Sequence, residues 1–133
     1  MVRIVGVDYG TTRVGVAVSD PSEKIASPLV VVPADQAASA IGRLVVELGA
    51  GAIVVGLPVS FSGQEGEAAR RARAFAAELA ESTSLPVQFW DERLTTTSAE
   101  AVLLKAGLRR RRRRQTVDKV AAAIMLQGFL DSR

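Results

Sequence analysis

The chain of 133 residues contains no cysteine and no histidine, which removes disulfides, thiolate metal sites, cysteine nucleophiles, imidazole triads and the ligand sets of zinc hydrolases. Its length predicts one domain over residues 1–133, and 48% hydrophobic residues are enough for an ordinary core. The 17 basic and 14 acidic residues leave a net charge of only +3, yet six arginines run consecutively from Arg109 to Arg114, which reads either as a solvated loop or as an electrostatic footprint for phosphates. No apolar stretch approaches the ~18 residues of a membrane span. Met1-Val2-Arg3 leads into a strand-like segment without a signal-peptide pattern, so the expectation is a soluble, cytoplasmic protein with no membrane partner.

Residues 2 to 8 are short and β-branched and end at the turn Tyr9-Gly10-Thr11-Thr12, which predicts a strand. Arg13 to Ser19 alternates valines with small residues and reads as a second strand, antiparallel to the first. Asp20-Pro21-Ser22 is turn chemistry, because proline presets its own φ and the aspartate can bond nearby amides. Leu29 to Val32, with Pro28 and Pro33 at its ends, predicts a third strand.

From Asp35 the period becomes helical through Ala38, Ile41, Leu44 or Val45, and Leu48, with Gly49 as the stop. Ala52 to Val55 reads as a strand buried on both faces. After the polar loop Ser60 to Gly66, Glu67 to Glu81 predicts an alanine-rich helix with Ala68, Ala72, Phe75 and Leu79 on its apolar stripe and Glu67 placed to pair with Arg71. Val87 to Trp90 is a fifth strand. Thr97-Ser98-Ala99-Glu100 has the spacing of a capping box for a helix ending at Gly107. Thr116 is the N-cap expected for a last helix, with Val117, Val120, Ala121, Ile124 and Gly128 on one face.

The order β-β-β-α-β-α-β-α-α implies an α/β fold with a five-stranded mixed sheet, three antiparallel strands followed by parallel ones, flanked by helices. Ligands of such sheets sit beyond the carboxyl ends of the parallel strands. The first strand ends at Asp8 and the fifth at Asp91-Glu92, which would put acids on that edge. Each has a bland reading: Asp8 as a turn cap, Glu92 as a surface acid beside Arg93, and Asp118 as a dipole-stabilised acid in the first turn of a helix. Together, two strand-end carboxylates and one from a closing helix make a hard-oxygen cluster suited to Mg²⁺ or Mn²⁺. Two such ions can activate water and stabilise the leaving oxygen of a phosphodiester, a route that needs neither histidine nor cysteine. Asp91 adjoins Glu92 but should point the other way if the strand continues through it.

The segments Gly6-Val7-Asp8-Tyr9-Gly10-Thr11-Thr12-Arg13-Val14-Gly15-Val16-Ala17, Ser19-Asp20, Val55-Gly56-Leu57-Pro58, Asp91-Glu92-Arg93-Leu94-Thr95-Thr96 with Ala99, and Val117-Asp118-Lys119-Val120-Ala121-Ala122 before Leu126 resemble the YqgF/RuvX family. This is a family of Holliday-junction-resolvase-like nucleases of the RNase H-like superfamily, described as acting on the precursor of 16S ribosomal RNA. The motifs run in order over nearly the whole chain. The resemblance implies an RNase H-like fold and places Asp8, Glu92 and Asp118 in the acidic metal-binding triad of a metal-dependent nuclease. Thr12-Arg13 stands where the family often has two basic residues, and Ser60-Phe61-Ser62-Gly63 replaces a loop that more often carries an acid.

Arg13, Arg93 and Arg109, Arg110, Arg111, Arg112, Arg113 and Arg114 are the candidate contacts to nucleic acid, with Arg93 open between a partner for Asp91 and a bidentate phosphate clamp. RNA is the favoured substrate and a DNA junction the alternative, with the protein a monomer or homodimer. Two other classes compete. Asp8-Tyr9-Gly10-Thr11-Thr12 also resembles the phosphate-binding turn of the actin and sugar-kinase superfamily, but one domain has no room for that two-domain clamp. A non-enzymatic nucleic-acid-binding module explains the arginines and leaves three acids opposing a polyanion.

Overall fold

The computed structural model describes residues 2–58, 64–91 and 110–133, of which 110–118 by their backbone alone. β1 (Arg3–Tyr9), β2 (Arg13–Ser19), β3 (Ala26–Pro33), β4 (Ala50–Leu57) and β5 (Val87–Asp91) form one sheet in the order β3-β2-β1-β4-β5. β1–β2 and β2–β3 are antiparallel, whereas β1–β4 and β4–β5 are parallel. This is the mixed sheet that the element order implied, in the RNase H-like arrangement that the family resemblance implied. The turn from β1 to β2 is tight enough that a Cβ on Gly10 would lie 2.5 Å from the Arg13 carbonyl oxygen.

β3 ends at Pro33 as expected but runs through Pro28, which was expected to bound it. It can do so because it is an edge strand, and Pro28 pairs with Ala17 at the register shift after Val16, the two settings in which a missing amide is tolerated. β4 likewise continues through Gly56 and Leu57, and β5 through Asp91.

Helices α1 (Ala37–Leu48) and α2 (Glu67–Thr83) cover one face of the sheet. α1 buries Ala37, Ile41 and Val45 and ends at Gly49, whose φ of 63° supplies the left-handed cap. α2 buries Ala69, Ala72, Phe75, Ala76 and Leu79, so its stripe includes Ala69 while Ala68 is exposed. A run of alanines leaves that phase undetermined in sequence, and Phe75 and Leu79 set it. Glu67 pairs with Arg71 at 3.2 Å and Arg70 at 3.0 Å. These exposed pairs contribute little.

α3 (Arg110–Asp131) packs on the opposite face. It starts six residues ahead of the expected cap at Thr116, so Arg110 to Arg114 are its opening turns and not a loop; arginine is itself a good helix former. The buried face is Ala122, Ala123, Met125, Leu126, Phe129 and Leu130, with Val120, Ala121 and Ile124 only half-buried. The expected helix over 97–107 lies outside the described residues, as do 59–63 of the polar loop.

The turn from β2 to β3 anchors the far end of α3. Asp20 Oδ1 accepts the Lys24 and Ile25 amides at 2.8 and 2.9 Å, and Oδ2 accepts the Ser22 hydroxyl. Ser19, 1% exposed, accepts the Ile4 amide at 2.8 Å through Oγ, joining this turn to the start of β1. Gln127 Oε1 then accepts the Ala26 amide at 2.9 Å, Gln127 Nε2 donates to the Lys24 carbonyl at 2.8 Å, and Arg133 meets Glu23 at 2.6 Å. The C-terminal end of α3 is thus held at the end of the sheet where β1 begins.

Two stability predictions follow from this packing. A Cβ on Gly6 would lie 2.9 Å from Leu126 Cβ, whereas one on Gly42 in α1 meets nothing within 4 Å. Gly6→Ala should therefore lower stability in urea melts by about 1–3 kcal/mol, and Gly42→Ala should raise it by about 0.4–1 kcal/mol.

The Ile25 amide, the Ser22 hydroxyl and the Lys24 amide, in that order, hold the Asp20 carboxyl down to about 2 from 3.8. A depressed carboxyl stabilises the fold above its unfolded value and loses that contribution as pH falls through the folded one. Asp20→Asn should melt below the parent at pH 7, with the gap closing between about pH 4 and pH 2.

Candidate active site

Along β1, Val5 and Val7 belong to the core under α1 and α2, while Ile4 packs in the core under α3 and Gly6 lies against Leu126. Strand alternation puts Asp8 on the α3 side. It stands half-buried at the carboxyl end of the strand. Its partner on β2 is Gly15. On β4 the register Val7↔Val55 brings Gly56 beside it. The carboxylate therefore has a glycine on each neighbouring strand at its own level. Only the register reveals that Gly15 faces Asp8.

Arg13 is half-buried at the start of β2, two residues from Gly15 and on the same face. That makes it a diagonal neighbour of Asp8, with Cα atoms about 7–8 Å apart in such pairs. On β5, Phe89 packs with the α1/α2 core and Trp90 with the α3 core, so alternation turns Asp91 to the α1/α2 side, away from Asp8. The expected divergence of Asp91 from the site is what its register gives. Glu92, Arg93 and Arg109 lie outside the described residues.

Trp90 completes the Asp8 row, since it pairs with Gly56. Its ring meets Phe129 of α3 edge-on at 6.3 Å and 85°, and among the described residues its buried Nε1 has no hydrogen-bond partner. No sequence signal singled out this residue beyond its being the only tryptophan in the chain.

α3 brings Asp118 toward the same edge. With its C-terminal end tied to the β2–β3 turn and Leu126 on Gly6, α3 runs antiparallel to β1. Asp118 precedes Leu126 by eight residues, about 12 Å of helix axis, and Asp8 lies two strand residues, about 7 Å, beyond Gly6. The two backbones are level to within about 5 Å along the strand direction. Asp118 also stands four, seven and eleven positions ahead of the buried Ala122, Met125 and Phe129, the spacing of one helix face.

Among the described residues no group of three or more His, Cys, Asp or Glu gathers at metal-binding distance, and that set contains neither Glu92 nor the side chain of Asp118. The chemistry of the donors nevertheless fits a hard divalent cation: every candidate ligand is a carboxylate, and Asp8 has glycines on both sides.

A model of the RuvX family, described as Holliday junction resolvase, matches residues 2–132. A protein of Pelotomaculum thermopropionicum named "Putative pre-16S rRNA nuclease" is 48% identical over 135 residues, covering 98% of this chain and 88% of its own. One of the same name from Chloroflexus aggregans is 41% identical, with 98% and 94% covered. Among solved structures, Thermus thermophilus RuvC in complex with a Holliday junction substrate superposes with a TM-score of 0.63 over 100% of this chain and 96% of that one, at 19% identity. That likeness is one of fold. No helix among the described residues is long and apolar enough to cross a membrane.

Proposed function

This chain belongs to the RuvX family, and from that premise we propose that it is a metal-dependent nuclease that hydrolyses phosphodiester bonds of RNA in the maturation of the 16S rRNA precursor. The observation that carries the reading is the glycine-flanked Asp8 at the carboxyl edge of the sheet, level with the Asp118 backbone. The names of the relatives support RNA as the substrate. Cleavage of four-way DNA junctions is the second reading, favoured by the description of the family.

In this reading Asp8, Glu92 and Asp118 hold Mg²⁺ or Mn²⁺. Such ions supply a water acidic enough to attack near neutral pH and a counter-charge for the leaving oxygen. Arg13, diagonal to Asp8, orients the phosphate, and Arg93 with the run Arg109 to Arg114 binds the flanking backbone. The protein acts in the cytoplasm, as a single domain over residues 1–133 and as a monomer or homodimer.

Asp8→Asn keeps side-chain volume and removes one ligand charge. It should lower cleavage of single-stranded RNA in Mg²⁺ or Mn²⁺ by about 100-fold or more while melting like the parent. Chelation of the metal should silence the parent as completely. Asp118→Asn should behave alike and also weaken divalent-ion binding, followed by the fluorescence of Trp90, the sole tryptophan. A folded Asp8→Asn protein with full activity would overturn the assignment. RNA, DNA and four-way junctions assayed side by side separate the two substrate readings.

A further inference from the structure

We infer that the Trp90 indole N–H is a hydrogen-bond donor of the active edge, which takes an anionic oxygen when the ion site at Asp8 is loaded and so tightens binding there. This rests on the nuclease reading above and adds to it a residue outside the acidic triad and the arginines.

The first observation is the row in which Trp90 stands. At the level of Asp8 the register runs Val31, Gly15, Asp8, Gly56, Trp90 across all five strands. Within that row the side chain with acceptor oxygens is Asp8, two strands from Trp90, so their Cα atoms lie about 10 Å apart. Gly56, the residue between them, has no side chain. Trp90 is also the last residue but one of β5, which places it at the carboxyl edge of the parallel strands, where ligands of such sheets sit.

The second observation is the state of the ring. Trp90 is half-buried and belongs with Ile4, Val54, Leu126 and Phe129 to the apolar cluster under α3. Its nitrogen is covered, however, and among the described residues no acceptor meets it. An indole nitrogen only donates, and a buried donor without an acceptor is costly, so buried tryptophans ordinarily have one. Phenylalanine would offer Phe129 the same kind of ring contact without that cost. Exceptions of this sort in folded proteins mark strain, a catalytic role or a bound ion, and here the ion site lies in the same row. The oxygen has two sources of one chemistry: a carboxylate of this chain drawn in by the ion, or a phosphate of the substrate. Either is ionised, which makes the bond about twice as strong as one to a neutral acceptor.

Because Trp90 is the sole tryptophan, isotope labelling of the indole nitrogen gives a single N–H resonance in the unaltered protein. That proton should move downfield and exchange more slowly with water on addition of Mg²⁺ alone if a carboxylate is the acceptor. If phosphate is the acceptor, it should do so only with Mg²⁺ and a short single-stranded RNA, whose fragments keep their phosphates after cleavage. Asp8→Asn should abolish the response, and a response that survives this change would place the ion elsewhere and overturn the inference. A resonance unmoved by both additions in protein that cuts RNA would also overturn it, leaving the nuclease reading intact. A response to Mg²⁺ in protein that cuts no nucleic acid would do the reverse.

A second measurement separates the donor from the ring. Growth on the benzothiophene analogue of tryptophan replaces the N–H by sulfur at this one position and keeps the shape of the ring. The substituted protein should melt at or above the parent without metal, because an unmet donor is gone. It should nevertheless need about tenfold more Mg²⁺ for half-saturation, or show a KM for RNA raised about tenfold if phosphate is the acceptor. A lower melting temperature with unchanged Mg²⁺ and RNA binding would mark a packing role alone and overturn the inference.

Discussion

Everything on the α3 side of the sheet depends on the contact between Gly6 and Leu126. β1 is the central strand, and any side chain at residue 6 would lift the helix, because a Cβ there already meets Leu126 at 2.9 Å. Protein interiors relax only partly around such intrusions. The displacement would be felt two residues along the same strand, at Asp8, and eight residues back along the helix, at Asp118. A glycine in the middle of a strand is ordinarily a weakness. Here it sets the distance between the two elements that carry the acids.

That distance is only half of the alignment; the other half is how far the helix slides along the strand. The β2–β3 turn settles this at the opposite end of the sheet. Gln127 bonds the backbone of Ala26 and Lys24, Arg133 meets Glu23, and Ser19 ties the same turn to Ile4 at the start of β1. Backbone partners suit this task, since hydrogen bonds to fixed atoms hold a register that apolar contacts alone would leave free to slide. The Ser19-Asp20 pair, part of the family-like motif, thus works by shaping a turn remote from the acids.

The five strands, α1 and α2 were legible because their signals are local: β-branched runs, the Asp20 turn, Gly49 as a stop. The shape of the sheet followed from element order. What escaped was set by partners distant in sequence. Pro28 of β3 read as a boundary, and only its place on an edge strand beside a register shift makes it tolerable inside the strand. The burial of Ala69 in place of Ala68 follows from the packing of Phe75 and Leu79, to which methyl groups give no clue. For α3, the helix was legible and its start was not. Thr116 had the chemistry of a cap, and the arginines had the look of a loop, although nothing in arginine opposes a helix. At the candidate site, Asp8 could be read from its position after an apolar strand. Its two glycine neighbours could not, because they come from strands 7 and 48 residues away.

The helical start of α3 alters how acid and base coexist there. Arg114 and Asp118 stand four residues apart on one helix, the spacing at which oppositely charged residues are neighbours. A cation preceding an anion is the weaker orientation, and even the better one contributes only about 0.2–0.5 kcal/mol. Such a pair does little to draw the carboxylate away from a divalent ion. At physiological salt the screening length is about 8 Å, so the outermost arginines, about 12 Å of axis from Asp118, act on it weakly through solvent. One continuous helix can therefore carry an acid at the edge of the sheet and arginines beyond it without either cancelling the other.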